Sequence, residues 1–157
     1  MEPVAISVPL PARERQWHLA TRNLFRFTFA YLVLYNLPFP LTLLSGLPLS
    51  FSLLGYPVAW YIEFWQWLVP WAGAQLFHLK DPITIFPNGS GDTTFNYVEV
   101  LLQVILAAAA TIVWSLLDTR RRNYVRLHDW LRIYVRYSLA ITMIGYGMHK
   151  VIKLQFI

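Results

Sequence analysis

The sequence predicts an all-α membrane protein with three transmembrane helices, an interfacial amphipathic helix on the outer face and a short polar outer loop. Residues 100–117 form an unbroken uncharged run, and a helix of about 20 apolar residues matches a bilayer core of roughly 30 Å. Only 13% of the 157 residues are charged, whereas soluble domains usually carry about 25%. Both features favour lipid as the surroundings of the chain.

Arginine clusters set the predicted orientation. Four arginines precede the first apolar stretch and six follow residue 117, and basic residues that flank membrane helices stay in the cytoplasm. An even number of crossings therefore separates the two groups, and the N-terminus is predicted to be cytoplasmic and the C-terminus outside. Because this topology accounts for the net charge of +5, nucleic acid is not a predicted partner.

The chain is predicted to form a single membrane domain over residues 1–157. From the N-terminus, the predicted order is a cytoplasmic tail (1–23), span 1 (24–47), an interfacial helix (56–79), an outer loop (80–94), span 2 (95–117), a cytoplasmic loop (118–129) and span 3 (130–151). Pro38 and Pro40 should bend or end the first span, because proline lacks the backbone donor that a helix needs. Asp92 is the predicted N-cap of the second span.

Residues 56–79 are predicted to lie flat on the outer face, because a third crossing would leave one arginine cluster outside. Small and polar residues share one helical stripe there, which is typical of interfacial helices: Ala59, Glu63, Gln66, Pro70 and Gly73. Four indole rings, which prefer the headgroup level, lie within twelve residues: Trp60, Trp65, Trp67 and Trp71. Since aromatic side chains dominate many interfaces, this segment is also predicted to contact a partner.

Few ionisable residues are predicted at membrane depth, where such residues are often functional. His149, one helical turn after Gly145, is a candidate axial ligand for haem or a chlorophyll-type pigment. The alternative is a histidine and a lysine, His149 and Lys150, satisfied at the headgroup level. Glu99 is a candidate for a proton path or for an ion pair with Lys150. Its structural alternative is a carboxylate that is favoured near the N-terminus of its helix.

Other chemistry is not predicted. The chain has no cysteine, which removes disulfides, thiolate metal sites and cysteine nucleophiles. His18, His78 and His128 lack the spacing of metal ligands, and residues 89–92 lack the lysine of a phosphate-binding loop. Neither a Ser-His-Asp pattern nor paired carboxylates occur, so no catalytic residue and no metal site are predicted.

Several short segments together resemble the DoxX-like family of bacterial integral membrane proteins. These segments are LVPW at 68–71, NGSGDTT at 88–94, VWSLLD at 113–118, WLRIYVR at 130–136 and YGMHK at 146–150. The resemblance covers residues 22–157 and implies a place in the bacterial cytoplasmic membrane beside quinone chemistry, since the family is named after a small membrane subunit of a thiosulfate–quinone oxidoreductase. Larger relatives continue with further spans, so the chain is expected to match their N-terminal part.

Two functions stay open at this point. The first is a non-catalytic accessory subunit of a bacterial membrane energy-converting complex, respiratory or photosynthetic, because the chain is rich in aromatic residues, poor in reactive ones and ends without a polar tail. The second is a DoxX-type subunit that helps to bind quinone. The alternatives allow quinone, haem or a chlorophyll-type pigment at an interface, with other membrane subunits as partners. A transporter is disfavoured, because three spans with few buried polar groups offer no evident pathway.

Overall fold

Helices make up almost all of the chain that the computed structural model describes, which is residues 16–45, 51–79, 83–85 and 93–151. The described helices are α1 (Leu19–Asn36), α2 (Leu41–Ser45), α3 (Phe51–Gln75), α4 (Thr94–Leu117) and α5 (Val125–Val151). No strand occurs in these residues. The predicted all-α class is therefore confirmed.

Two stretches, 19–43 and 94–117, are long and apolar enough to cross a membrane. Only 17% of each apolar window is buried inside the protein, whereas the core helix of a soluble protein would be mostly covered. Helix α5 does not meet the same criterion within the described residues, and it carries five charged side chains: Arg126, Asp129, Arg132, Arg136 and Lys150. The third span and the flat placement of residues 56–79 stay predictions.

The first helix begins and ends earlier than the predicted span. Helix α1 starts at Leu19, within the predicted tail, and stops at Asn36, before the two prolines. The backbone N–H of Leu37 still donates to the Val33 carbonyl at 3.0 Å, but neither Pro38 nor Pro40 has an N–H to continue the ladder. The chain turns and restarts as the short helix α2.

Helix α3 lies over the first turns of α4 and not along its length. The buried residues that join the two helices are Trp65, Val69, Ala72, Val98 and Leu102. Partly buried residues extend this cluster to Tyr61 on α3 and to Phe95 on α4. The cluster therefore spans eleven residue steps of α3, from Tyr61 to Ala72, or about 16 Å of helix. On α4 it spans seven steps, from Phe95 to Leu102, or about 10 Å. The two helices therefore cross near the N-terminus of α4.

For one residue of the polar stripe on α3, the prediction that it faces water is wrong. Glu63 and Gln66 are exposed, but Gly73 is buried. A Cβ atom at Gly73 would overlap the side chain of Ile83, which packs directly over it. Gly73 therefore permits close packing of the following chain and does not face water.

Helix α5 packs along α1 and begins five residues before the predicted span. Phe25 of α1 and Leu131 of α5 share a buried cluster with Tyr124. Further along, the Ser138 hydroxyl donates to Asn36 Oδ1 at 2.6 Å. Both pairs advance together in sequence, so α1 and α5 run parallel, as the predicted topology requires.

Most large apolar side chains in the second half of α5 are exposed in the described structure. Six of them are at least half exposed: Leu139, Met143, Ile144, Tyr146, Met148 and Val151. Space is also open where a Cβ would stand at Gly145 and Gly147. An apolar helix surface of this size calls for lipid or another helix to cover it.

Candidate functional site

Glu99 lies in a cleft of about 330 Å³ between α3, the start of α4 and the turn after α1. Besides Glu99, the cleft is lined mainly by aromatic and polar side chains: Tyr61, Trp65, Gln66, Phe95 and Asn96. The Tyr61 hydroxyl donates to the Leu34 carbonyl at 3.2 Å, which ties α3 to the end of α1. The cleft thus combines one carboxylate with aromatic walls where α3, the start of α4 and the turn after α1 meet.

The neighbour of Glu99 one turn further along α4 is Gln103, which is buried. Its amide Nε2 lies 3.4 Å from Glu99 Oε1, a long hydrogen bond by the usual criteria. Within the described part of the protein, Gln103 Oε1 is buried and has no hydrogen-bond partner. Polar groups in this region are therefore only partly satisfied by the chain itself.

The structure does not bring Glu99 and Lys150 together. No ion pair joins these two described residues, and Lys150 Nζ lies instead 4.6 Å from the centre of the Tyr146 ring. The ion pair is therefore not formed in the described structure. His149 lies in α5, and its side chain is outside the described residues. In the described residues, no group of three or more His, Asp or Glu side chains is placed to hold a metal ion.

The N-cap of α4 is also one residue later than predicted. The Thr93 side chain accepts a hydrogen bond from the backbone N–H of Asn96 at 3.3 Å. Threonine performs this role well. Asp92 lies outside the described residues.

The four tryptophans of α3 divide into one buried ring and three exposed rings. Trp65 is 4% exposed and packs against α4, whereas Trp60, Trp67 and Trp71 are 47–68% exposed. Trp67 and Trp71 stack on each other with ring centres 6.1 Å apart. Three large aromatic surfaces are thus left for lipid or a partner.

The best-organised polar site was not predicted and centres on Arg26. This side chain is 2% exposed. Its Nε and Nη2 donate to the Tyr124 hydroxyl at 2.9 and 2.7 Å, and Nη2 also donates to the Asp118 carbonyl at 2.6 Å. Its Nη1 donates to Ser115 Oγ at 2.8 Å and to Asn23 Oδ1 at 3.2 Å. The five contacts match the five N–H groups of a guanidinium.

Tyr124 links this arginine to the Asp118 carboxylate. The Tyr124 hydroxyl donates to Asp118 Oδ2 at 3.0 Å. Burial by itself raises the pKa of Asp118, but hydrogen bonds from Tyr124 and the Arg121 N–H, together with the positive charge of Arg121, outweigh it and lower that pKa below its ordinary value of 3.8. Asp118 is therefore an anion, and the tyrosine hydroxyl connects it to the buried cation.

Two further hydrogen bonds fasten the start of α1 to the α4–α5 loop. The backbone N–H of Trp17 donates to the Arg122 carbonyl at 3.0 Å, and Arg22 Nη1 donates to the Arg121 carbonyl at 2.8 Å. We call the whole arrangement around Arg26, Ser115, Asp118 and Tyr124 the arginine junction. Its chemistry is structural, because no donor of the guanidinium is left for a ligand.

Comparison with known proteins gives no match: no family model, no curated protein and no solved structure matches the chain. The resemblance to DoxX-like proteins and the functions that it implies therefore stay predictions.

Replacing Tyr124 with phenylalanine should destabilise the protein by about 2 kcal/mol, because two N–H groups of a buried guanidinium lose their shared acceptor. The measurement is thermal unfolding of the purified protein in one detergent. Tyr137→Phe is the matched control, since Tyr137 is 64% exposed. Equal melting temperatures for Tyr124→Phe and the natural protein would contradict the role of the arginine junction.

The lowered pKa of Asp118 predicts a loss of stability in acid. A carboxyl group whose pKa is lower in the folded state contributes stability that is present above its unfolded pKa and disappears as the pH falls through the folded value. Melting temperatures of the natural protein should therefore fall below about pH 4. Asp118→Asn should flatten this response, and Asp129→Asn, on the exposed side of α5, should retain it. If the melting temperature of Asp118→Asn fell in acid as much as that of the natural protein, the lowered pKa of Asp118 would not be the cause.

Proposed function

We propose that this chain is a non-catalytic accessory subunit of a bacterial membrane energy-converting complex, respiratory or photosynthetic. The observation that carries the proposal is the large apolar and aromatic surface that the described fold leaves uncovered. It comprises the three exposed tryptophans of α3 and the exposed apolar side chains of α4 and of the second half of α5. A protein with this surface is better suited to binding neighbouring subunits than to binding a substrate.

The distribution of polar groups supports the same proposal. Among the described charged residues, Arg26 makes the most hydrogen bonds. All its donors bind acceptors that hold α1, α4 and α5 together. Catalytic sites need groups that are held in place and remain free to react with a substrate. The arginine junction meets the first condition and fails the second.

The proposed topology has α1, α4 and α5 crossing the membrane and α3 lying on the outer face. It is supported by the contact of α3 with only the first turns of α4, near the end of α1. Between Arg136 and Lys150, α5 offers 13 uncharged residues, about 20 Å of helix. A bilayer core is roughly 30 Å thick. Arginine and lysine side chains that extend toward the two headgroup layers span the rest of it.

A second candidate function is a membrane subunit that helps to bind quinone. The observation that favours it is the cleft of Glu99, where a carboxylate stands among Tyr61, Trp65 and Phe95. Aromatic walls suit a flat ring, and the carboxylate can accept a hydrogen bond from a ring hydroxyl. Glu99 would then position a reduced quinone, and the redox centre that exchanges electrons with it would lie in another subunit.

The test of the accessory function is the size of the particle extracted from membranes with a mild detergent. The natural chain, 18.3 kDa, should migrate on a native gel as part of a larger assembly. Trp67→Ala/Trp71→Ala should reduce that assembly at least about tenfold, because buried tryptophans are among the strongest contributors to interfaces. Tyr31→Ala/Tyr35→Ala, which removes a tilted aromatic pair of α1 with ring centres 5.8 Å apart, should leave it intact.

The same preparation separates the two candidate functions. Migration of the natural chain alone would overturn the accessory function. Quinone in the organic extract of a lone chain, lost in Glu99→Gln, would establish the second function instead. An absorption band of haem or chlorophyll in the assembly that disappears in His149→Ala would assign that histidine to a pigment.

A further inference from the structure

A groove of about 610 Å³ runs between α1 and α5. Its α1 wall extends from Thr21 to Leu32, about 16 Å along the helix, and includes Leu24 and Thr28. Its α5 wall contains Leu131 and Val135. The groove is therefore elongated and mostly apolar, a shape that suits a hydrocarbon chain.

Two arginines stand on the α5 wall of this groove. Arg132 and Arg136 are one helical turn apart, and both line the groove and are exposed. Arg132 Nη1 is 4.0 Å from Asp129 Oδ1, a surface pair of little energetic value. In the described part of the chain, Arg136 makes no hydrogen bond or ion pair. The groove thus carries more positive than negative charge at its wall.

The position of Arg136 on α5 makes its lack of a partner informative. Arg136 lies eleven residues after the start of α5, about 16 Å along the helix. If α5 crosses the membrane as proposed above, the Arg136 guanidinium extends to the cytoplasmic headgroup layer, where lipid phosphates are the available anions. The described chain supplies an anion to Arg26 through Tyr124, but none to Arg136.

We propose that this groove binds an anionic phospholipid, with an acyl chain along α1 and the phosphate on Arg132 and Arg136. The apolar wall and the cationic wall match the two parts of such a lipid, and basic pockets between membrane helices on the cytoplasmic side are suited to acidic headgroups. The proposal rests on the membrane placement given under Proposed function. It adds a ligand and a binding site to that placement.

The experiment is a lipid titration of the purified full chain in detergent, followed by native mass spectrometry. Phosphatidylglycerol should bind at least about tenfold more tightly than phosphatidylcholine with the same acyl chains. Arg132→Gln/Arg136→Gln should weaken phosphatidylglycerol binding about 30-fold, the effect of two basic side chains that each contribute as at an anionic membrane surface. Arg120→Gln/Arg126→Gln, with the same loss of charge outside the groove, should change it less than about threefold.

A second variant tests the apolar half of the site. Thr28→Phe places a ring in the groove and leaves both arginines in place, so it should weaken phosphatidylglycerol binding about tenfold without altering the melting temperature of the lipid-free protein. Added inorganic phosphate should displace the lipid only weakly, since it can contact the arginines but not the apolar wall.

Equal binding of both lipids, or equal losses in the two arginine double variants, would overturn the lipid site. Unimpaired binding by Thr28→Phe would overturn the groove as its location, and capture of a protein helix there would replace lipid as the occupant. Extraction of membranes with alkaline carbonate keeps this outcome separate from the proposed function. A chain that resists extraction but fails the lipid test refutes only the lipid site, whereas a chain released by carbonate refutes the membrane placement itself.

Discussion

The buried guanidinium of Arg26 is the constraint on which the arrangement of the helices depends. A buried cation is tolerated only when its donors are satisfied and an anion is near. Here the acceptors come from α1, from the last turn of α4 and from the loop before α5. Since the acceptors on α4 and in the loop are 89 to 98 residues from Arg26 in sequence, one side chain fixes the start of α1, the end of α4 and the start of α5 at the same level.

The opposite end of the bundle is held differently. There, single hydrogen bonds join Ser138 to Asn36 and Tyr61 to Leu34, and α3 crosses the first turns of α4. Most large apolar side chains in the second half of α5 are also exposed. The fold is thus closed at the arginine junction and open at the end that holds the Glu99 cleft and the exposed tryptophans. Both proposed functions use residues at this open end.

Sequence reasoning succeeded where the signal is local. The second span was predicted to begin one residue after the observed start of α4 and to end at the observed Leu117, because an uncharged run bounded by polar residues defines a helix. The start of α5 was missed, because Arg126 and Asp129 resemble a loop when they are in fact exposed positions of a helix. The arginine junction and the burial of Gly73 depend on residues distant in sequence or on a later loop. Neither leaves a periodic pattern that could have revealed it.

The most direct test of this account is the sidedness of two introduced cysteines, because the natural chain has none. Thr119 lies in the loop of the arginine junction, and Thr84 lies in the segment that packs near α3; both are exposed. In intact cells, a membrane-impermeant thiol reagent should label Thr84→Cys and leave Thr119→Cys unlabelled until detergent is added. Labelling of both cysteines from the same side would contradict the proposed arrangement of α1, α4 and α5 across the membrane.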